Sequence, residues 1–103
     1  GTMAAVARSR EEVAATLAGI ADVVIANHNA PDQVVISGTE SGVRAVVERL
    51  RSEGHGATRL PVAGAFHSPL MRPARAALDH AIGAVTFSAP VTPVYANLDG
   101  RPY

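Results

Sequence analysis

A chain of 103 residues with nine acidic and nine basic side chains carries no net charge that would draw it to a nucleic acid or another polyanion. It has no cysteine, which excludes disulfides, cysteine-based zinc sites and iron–sulfur clusters. Four aromatic residues, Phe66, Phe87, Tyr95 and Tyr103, are too few for a base-stacking sheet. No apolar run approaches the ~18 residues of a membrane span, and no signal peptide is visible. The expectation is a cytoplasmic protein of one domain, or a piece of one, that meets neither nucleic acid nor membrane. Every Lys/Arg position is Arg, and alanine is abundant, which is the bias of a GC-rich bacterial genome.

In chain order, Met3-Ala4-Ala5-Val6 reads as a short strand. Ser9-Arg10-Glu11-Glu12 matches a capping box, and Val13, Leu17 and Ile20 follow at helical spacing, so a first helix is expected over residues 10–20. Val23–Asn27 is β-branched and short, hence a strand. Asn29-Ala30-Pro31-Asp32 is turn chemistry, and Gln33–Gly38 is a strand close enough to pair antiparallel with its predecessor. Thr39 can cap a second helix whose Val43, Val46, Val47 and Leu50 recur at one helical face. Gly54-His55-Gly56 ends it, with His55 expected in solvent, and Ala57–Val62 is a fourth strand. The order β-α-β-β-α-β is the split βαβ pattern of an α+β, ferredoxin-like domain, an antiparallel sheet with two helices on one face.

The chain continues past that pattern. Ser68 can cap a third helix with Pro69 at its first position, and Leu78 and Ile82 give it an apolar face. From Pro90 to Gly100 the sequence is extended, proline-punctuated and apolar, a strand with no partner in the pattern. The expected division is therefore residues 1–63 as the ferredoxin-like unit and 64–103 as a junction, helix and return strand.

Chemistry concentrates in Gly64-Ala65-Phe66-His67-Ser68-Pro69-Leu70-Met71, which places one imidazole at a strand-to-helix junction. The positive end of a helix dipole there disfavours the imidazolium, and a neutral imidazole is what a general base requires. On these residues alone, a histidine that packs at a junction is the plainer alternative. His28, His55 and His80 lack metal-ligand spacing, so no metal site is expected. Asn27, Asn29 and Gln33 read as turn and strand-edge residues, and Asn97 as a turn residue before Asp99-Gly100. Arg44, Arg49, Arg51 and Arg59 suit either a solvated helix face or an acidic partner.

Four segments in order resemble the acyltransferase family, the malonyl-CoA:acyl carrier protein transacylases and the acyltransferase domains of polyketide and fatty acid synthases. They are Gly1 with Met3-Ala4-Ala5-Val6, the run Ala26–Gly38, the Gly64–Met71 histidine motif, and Pro93–Gly100. The resemblance implies that His67 is the base of a Ser–His dyad moving a malonyl group from CoA to the phosphopantetheine thiol of an acyl carrier protein. Asn97 matches the residue whose main-chain carbonyl orients the imidazole. Gly64, Ala65 and Phe66 match the block that selects the acyl group: Phe before the histidine accompanies malonyl, because a ring there fills the space of an α-methyl group. Gly64 departs from the commonest malonyl pattern, which has His at that position. Asn27, Asn29 and Gln33 would face the cleft in a structural role.

The family's nucleophile is absent from these residues. Ser41 lacks the spacing of a Gly-x-Ser-x-Gly elbow and Ser68 reads as a cap. The serine and the arginine that pairs with the malonyl carboxylate are expected on a hydrolase-like domain outside this chain, which by itself would be inactive and binds no cofactor. A stand-alone ferredoxin-like binding module without catalysis is the alternative. A regulatory small-molecule domain of the same topology rests on analogy alone.

Overall fold

The computed structural model describes residues 1–103. In order it comprises β1 (Thr2–Val6), α1 (Arg10–Leu17), β2 (Val23–Ala30), β3 (Gln33–Gly38), α2 (Glu40–Ser52) and β4 (Ala57–Arg59), then a 3-10 turn (Pro69–Met71) and α3 (Arg72–Gly83). The sheet order is β2-β3-β1-β4 with every neighbouring pair antiparallel, the ferredoxin-like arrangement of an α+β fold. No helix is long and apolar enough to cross a membrane.

Both early helices start where their caps dictate. Ser9 is extended, its Oγ accepts the Glu12 N–H at 3.3 Å, and the Glu12 carboxylate accepts the Ser9 N–H at 3.2 Å, which completes the capping box. Thr39 Oγ1 accepts the Gly42 N–H at 3.1 Å. Strand alternation turns Ala4, Val6, Val34 and Ile36 toward the helices, where they meet Val13 of α1 and Val43, Val46, Val47 and Leu50 of α2. Each such aliphatic side chain contributes roughly 1.5–3 kcal/mol by leaving water. This is the core of the molecule.

Four boundaries differ from the sequence expectation. α1 stops at Leu17, because Gly19 turns left-handed (φ 83°) and the Ile20 N–H closes a turn onto the Leu17 carbonyl at 2.9 Å. Ile20 still packs on the core, from beyond the helix end. β4 ends at Arg59: the Leu60 N–H reaches the Met3 carbonyl at 2.9 Å, but Pro61 has no N–H with which to continue the ladder. β2 runs on to Ala30, leaving only Pro31 and Asp32 as the hairpin loop. Two bulges, at Ala26 and Asn29, absorb the extra residues of this edge strand. The first bulge sets Asn27 opposite Val35 instead of continuing the Ile25 face, so Asn27 stands on the side of the sheet away from the helices.

The fourth difference is the C-terminal segment, which forms no return strand. It doubles back on itself, with Ala96 N–H to Arg101 O at 2.8 Å, Gly100 N–H to Ala96 O at 2.9 Å, and a single bridge between Tyr95 and Pro102. Turn chemistry wins there because no sheet edge lies alongside. The Asp99 carboxylate accepts the Arg101 N–H at 3.0 Å, and Gly100 supplies a positive φ of 69°.

The two parts of the chain have different characters. Every buried residue lies between Thr2 and Ala65, and none belongs to α3. Leu78, Ile82, Phe87, Val91 and Leu98 are all exposed. The radius of gyration is 17.1 Å, against about 13 Å for a compact chain of this length. The excess is α3 and the tail projecting from the sheet.

Candidate active site

The chain leaving β4 returns to the end of the sheet where β1 begins and β3 ends. Ala65 is buried there against Gly1, so close that a β-carbon on Gly1 would fall 2.5 Å from that of Ala65. From this anchor Ala65-Phe66-His67-Ser68 makes a tight turn, the Ser68 N–H donating to the Ala65 carbonyl at 3.3 Å. Ser68 Oγ donates to the same carbonyl at 2.6 Å and accepts the Leu70 N–H at 3.3 Å. Its hydroxyl is thus committed to the turn and the cap, as the sequence implied.

These contacts pin the backbone on both sides of His67 and hold it in the left-handed region at φ 60°. That position of a turn ordinarily goes to Gly or Asn, and a β-carbon there costs roughly 1–2 kcal/mol. The imidazole itself is exposed and makes no hydrogen bond within the chain. Ser68 caps a helical segment with Pro69 at its first position, so His67 stands immediately before it as expected; the first turn is 3-10 and runs directly into α3 at Arg72. The residue stands in a strained loop.

Phe66 is 46% exposed, and its ring folds back over Gly64. Gly64, Ala65, Phe66 and His67 are therefore one contiguous structure. Asn97 is not part of it. It lies exposed in the Asn97–Gly100 turn with no hydrogen bond to His67. Asn29 Nδ2 reaches Gln33 Oε1 at 3.5 Å across the hairpin, while His28 is exposed beside them, as is His80 on α3. Ser41 sits exposed in the first turn of α2.

Sequence reading missed one cluster. His55 is only partly solvated: its side chain is 25% exposed, and Nε2 receives an N–H of Arg8 at 2.5 Å. Arg8 also pairs with Glu12 at 2.9 Å, and the three line a pocket of about 250 Å³ with Ala15, Thr16, Leu50 and Glu53. Hydrogen bonds from the Ser9 hydroxyl and then the Ser9 N–H hold the Glu12 carboxyl below its usual range, helped by the nearby Arg8 charge. The available signal was Arg8 four residues before Glu12, flanking the capping box. Among the arginines, Arg59 bridges to Glu40 at 2.7 Å, Arg49 to Glu53 at 3.1 Å, and Arg51 donates to the Ala57 carbonyl at 2.9 Å. Arg44 is exposed and has no ion pair.

A similar sequence and shape occur in known proteins. The family model described as the acyl transferase domain matches residues 1–102. The polyketide biosynthesis protein ThaF of Burkholderia thailandensis is 39% identical over 107 residues, covering 100% of this chain and 9% of that protein. The malonyl CoA-acyl carrier protein transacylase of Synechocystis is 36% identical over 103 residues, covering 99% of this chain and 34% of the transacylase. The crystal structure of the acyltransferase domain from the second module of the salinomycin polyketide synthase superposes with a TM-score of 0.80 at 39% identity, over 99% of this chain and 24% of that one. The chain thus spans between 9% and 34% of the length of these relatives. Matched over nearly its whole length in both sequence and fold, it belongs to the acyl transferase domain family.

Proposed function

We propose that this chain is the ferredoxin-like segment of a malonyl-type acyltransferase and supplies the histidine base of a Ser–His dyad. The observation that carries the reading is His67 itself, an unbonded imidazole on a backbone held left-handed by its neighbours. Strain of this kind persists where the surroundings over-determine it, and such residues cluster at active sites.

In this reading Nε2 of His67 takes the proton of a serine hydroxyl from the part of the enzyme outside this chain. The serine oxygen adds to the thioester carbonyl, and collapse of the tetrahedral adduct expels the CoA thiolate, which takes the proton from the imidazolium. The phosphopantetheine thiol of an acyl carrier protein then repeats the cycle in reverse on the serine ester. The Asn97 carbonyl would accept the other ring N–H once the tail docks on the missing hydrolase-like subdomain. Residues 1–63 act as the folded unit and 64–103 as the arm that reaches that subdomain. Support for the arm comes from its unburied Leu78, Ile82 and Phe87 and from the greater length of the relatives. Phe66, next to the base, would limit the acyl group to malonyl size.

In an intact acyltransferase carrying this segment, His67→Ala is expected to lower acyl loading from malonyl-CoA by about 10²–10⁴-fold, the usual range for a lost general base. Its unfolding temperature should be unchanged. Loading at the unaltered rate would overturn the assignment. The chain alone, holding a base without its nucleophile, should gain no mass on incubation with malonyl-CoA, and a stoichiometric serine ester would contradict that.

A further inference from the structure

The contact between Arg8 and His55 fixes the protonation of the imidazole. Nε2 of His55 lies 2.5 Å from Nη2 of Arg8. A guanidinium has donors only and does not lose its proton in a protein, so the imidazole must be the acceptor. Nε2 therefore carries the lone pair, the ring proton sits on Nδ1, and His55 is neutral in this structure. The bond joins two loops 47 residues apart, the one that follows β1 and the one that precedes β4. The same loops meet through the Ala7 N–H and the Gly56 carbonyl at 2.8 Å. β4 has need of such support. It is three residues long, stands at the edge of the sheet, pairs with β1 alone, and is the last strand before the histidine motif.

The charged groups around His55 come from three elements. Arg8 lies in the loop after β1, and Glu12 of α1 holds its other Nη at 2.9 Å. Glu53, at the end of α2, has Oε2 4.0 Å from Nε2 of His55, while its Oε1 is held by Arg49 at 3.1 Å. Arg51, also on α2, is committed to the Ala57 carbonyl at 2.9 Å.

We propose that the Arg8–His55 bond is a proton-operated latch on β4. While His55 is neutral, the bond ties the start of β4 to the loop after β1. A proton on Nε2 removes the lone pair and sets two cations against each other, so the bond breaks. The imidazolium then turns to the Glu53 carboxylate, and Arg8 keeps Glu12. A tie between two loops is thereby exchanged for an ion pair within the turn that ends α2, and the start of β4 loosens. The latch is closed above the pH at which His55 titrates and open below it.

Two measurements on the 103-residue protein test this. Proton–nitrogen NMR of the imidazole reads tautomer and charge together. At about pH 8, on the basic side of the histidine range, His55 should carry its proton on Nδ1 and none on Nε2. A proton on Nε2 at that pH would overturn the latch. Hydrogen exchange, expressed as protection factors, then reads the strand. As the same spectra show His55 gaining its second proton, protection of β4 relative to β3 should fall about tenfold, the scale of one hydrogen bond to a charged group. Glu12, held below its usual range, stays charged through this window. In Arg8→Ala the protection of β4 should be low on both sides of the titration. In His55→Gln, whose amide oxygen can accept from Arg8 but does not titrate, it should stay high on both. Protection of β4 that ignores the charge of His55 in the wild type, or an acid loss that persists in His55→Gln, would overturn the proposal.

Discussion

At the scale of single residues, the site and the core are governed by close approach. His67 is held left-handed by bonds made at Ala65 and Ser68, not by anything intrinsic to histidine. Its place in the motif was legible in the sequence, but its backbone strain was not, because φ there is set by residues on either side of the turn. The contact of the Phe66 ring with Gly64 is a similar case, since the fold and not the motif places the ring there. Gly38 gives a sharper test. A β-carbon on it would fall 2.0 Å from the Asp22 carbonyl oxygen and 2.9 Å from Cα of Val23, and both obstacles are backbone. Asp22 is itself left-handed at φ 62°, and its carbonyl accepts the Thr39 N–H at 3.1 Å. Gly38→Ala should therefore cost about 3 kcal/mol, the upper part of the overpacking range, measured by urea unfolding. A loss below about 0.5 kcal/mol, the scale of a surface change, would refute the close packing.

At the scale of elements, local chemistry decided starts better than ends. Both caps lay where Ser9 and Thr39 placed them, because a side-chain oxygen four or fewer residues from its target needs no tertiary help. Ends were set by what lay beyond: Gly19 for α1, Pro61 for β4, and two bulges that lengthened β2 past the expected turn. The capping box also gives a pH signature. Glu12 is held below its usual pKa of 4.5 mainly by the Ser9 hydroxyl, so its folded value is depressed relative to the unfolded chain. Its contribution to stability is present above that value and is lost as pH falls through the lower folded one. The gap in urea midpoint between wild type and Glu12→Gln should hold from about pH 7 to about pH 5 and close toward about pH 3. A gap independent of pH would mean that the Glu12 charge is immaterial to α1.

At the scale of the whole molecule, the sheet with α1 and α2 encloses a buried core, whereas α3 and the tail bury no residue. α3 has 12 residues and none is buried, and isolated helices of fewer than about 12–15 residues are marginal in water. In hydrogen exchange of the isolated chain, amides of β1, β3 and α2 should be protected together while those of α3 exchange near unprotected rates. α3 should gain protection when the segment is part of an intact acyltransferase. Protection of α3 equal to that of β3 in the isolated chain would refute the division.

The sequence alone determined the order of elements, the helix caps, the apolar face of α2 and the histidine motif, because each depends on residues near one another in the chain. Tertiary structure alone decided the strained backbone of His67, the redirection of Asn27 by a bulge, the Arg8–His55–Glu12 cluster and the hairpin of the tail. Those depend on which groups happen to meet, or fail to meet, across the fold. Asn97 shows the limit most plainly. Its motif resembles a return strand, but a strand needs an edge to pair with, and without one the turn-forming Asp99 and Gly100 curl the chain back on itself.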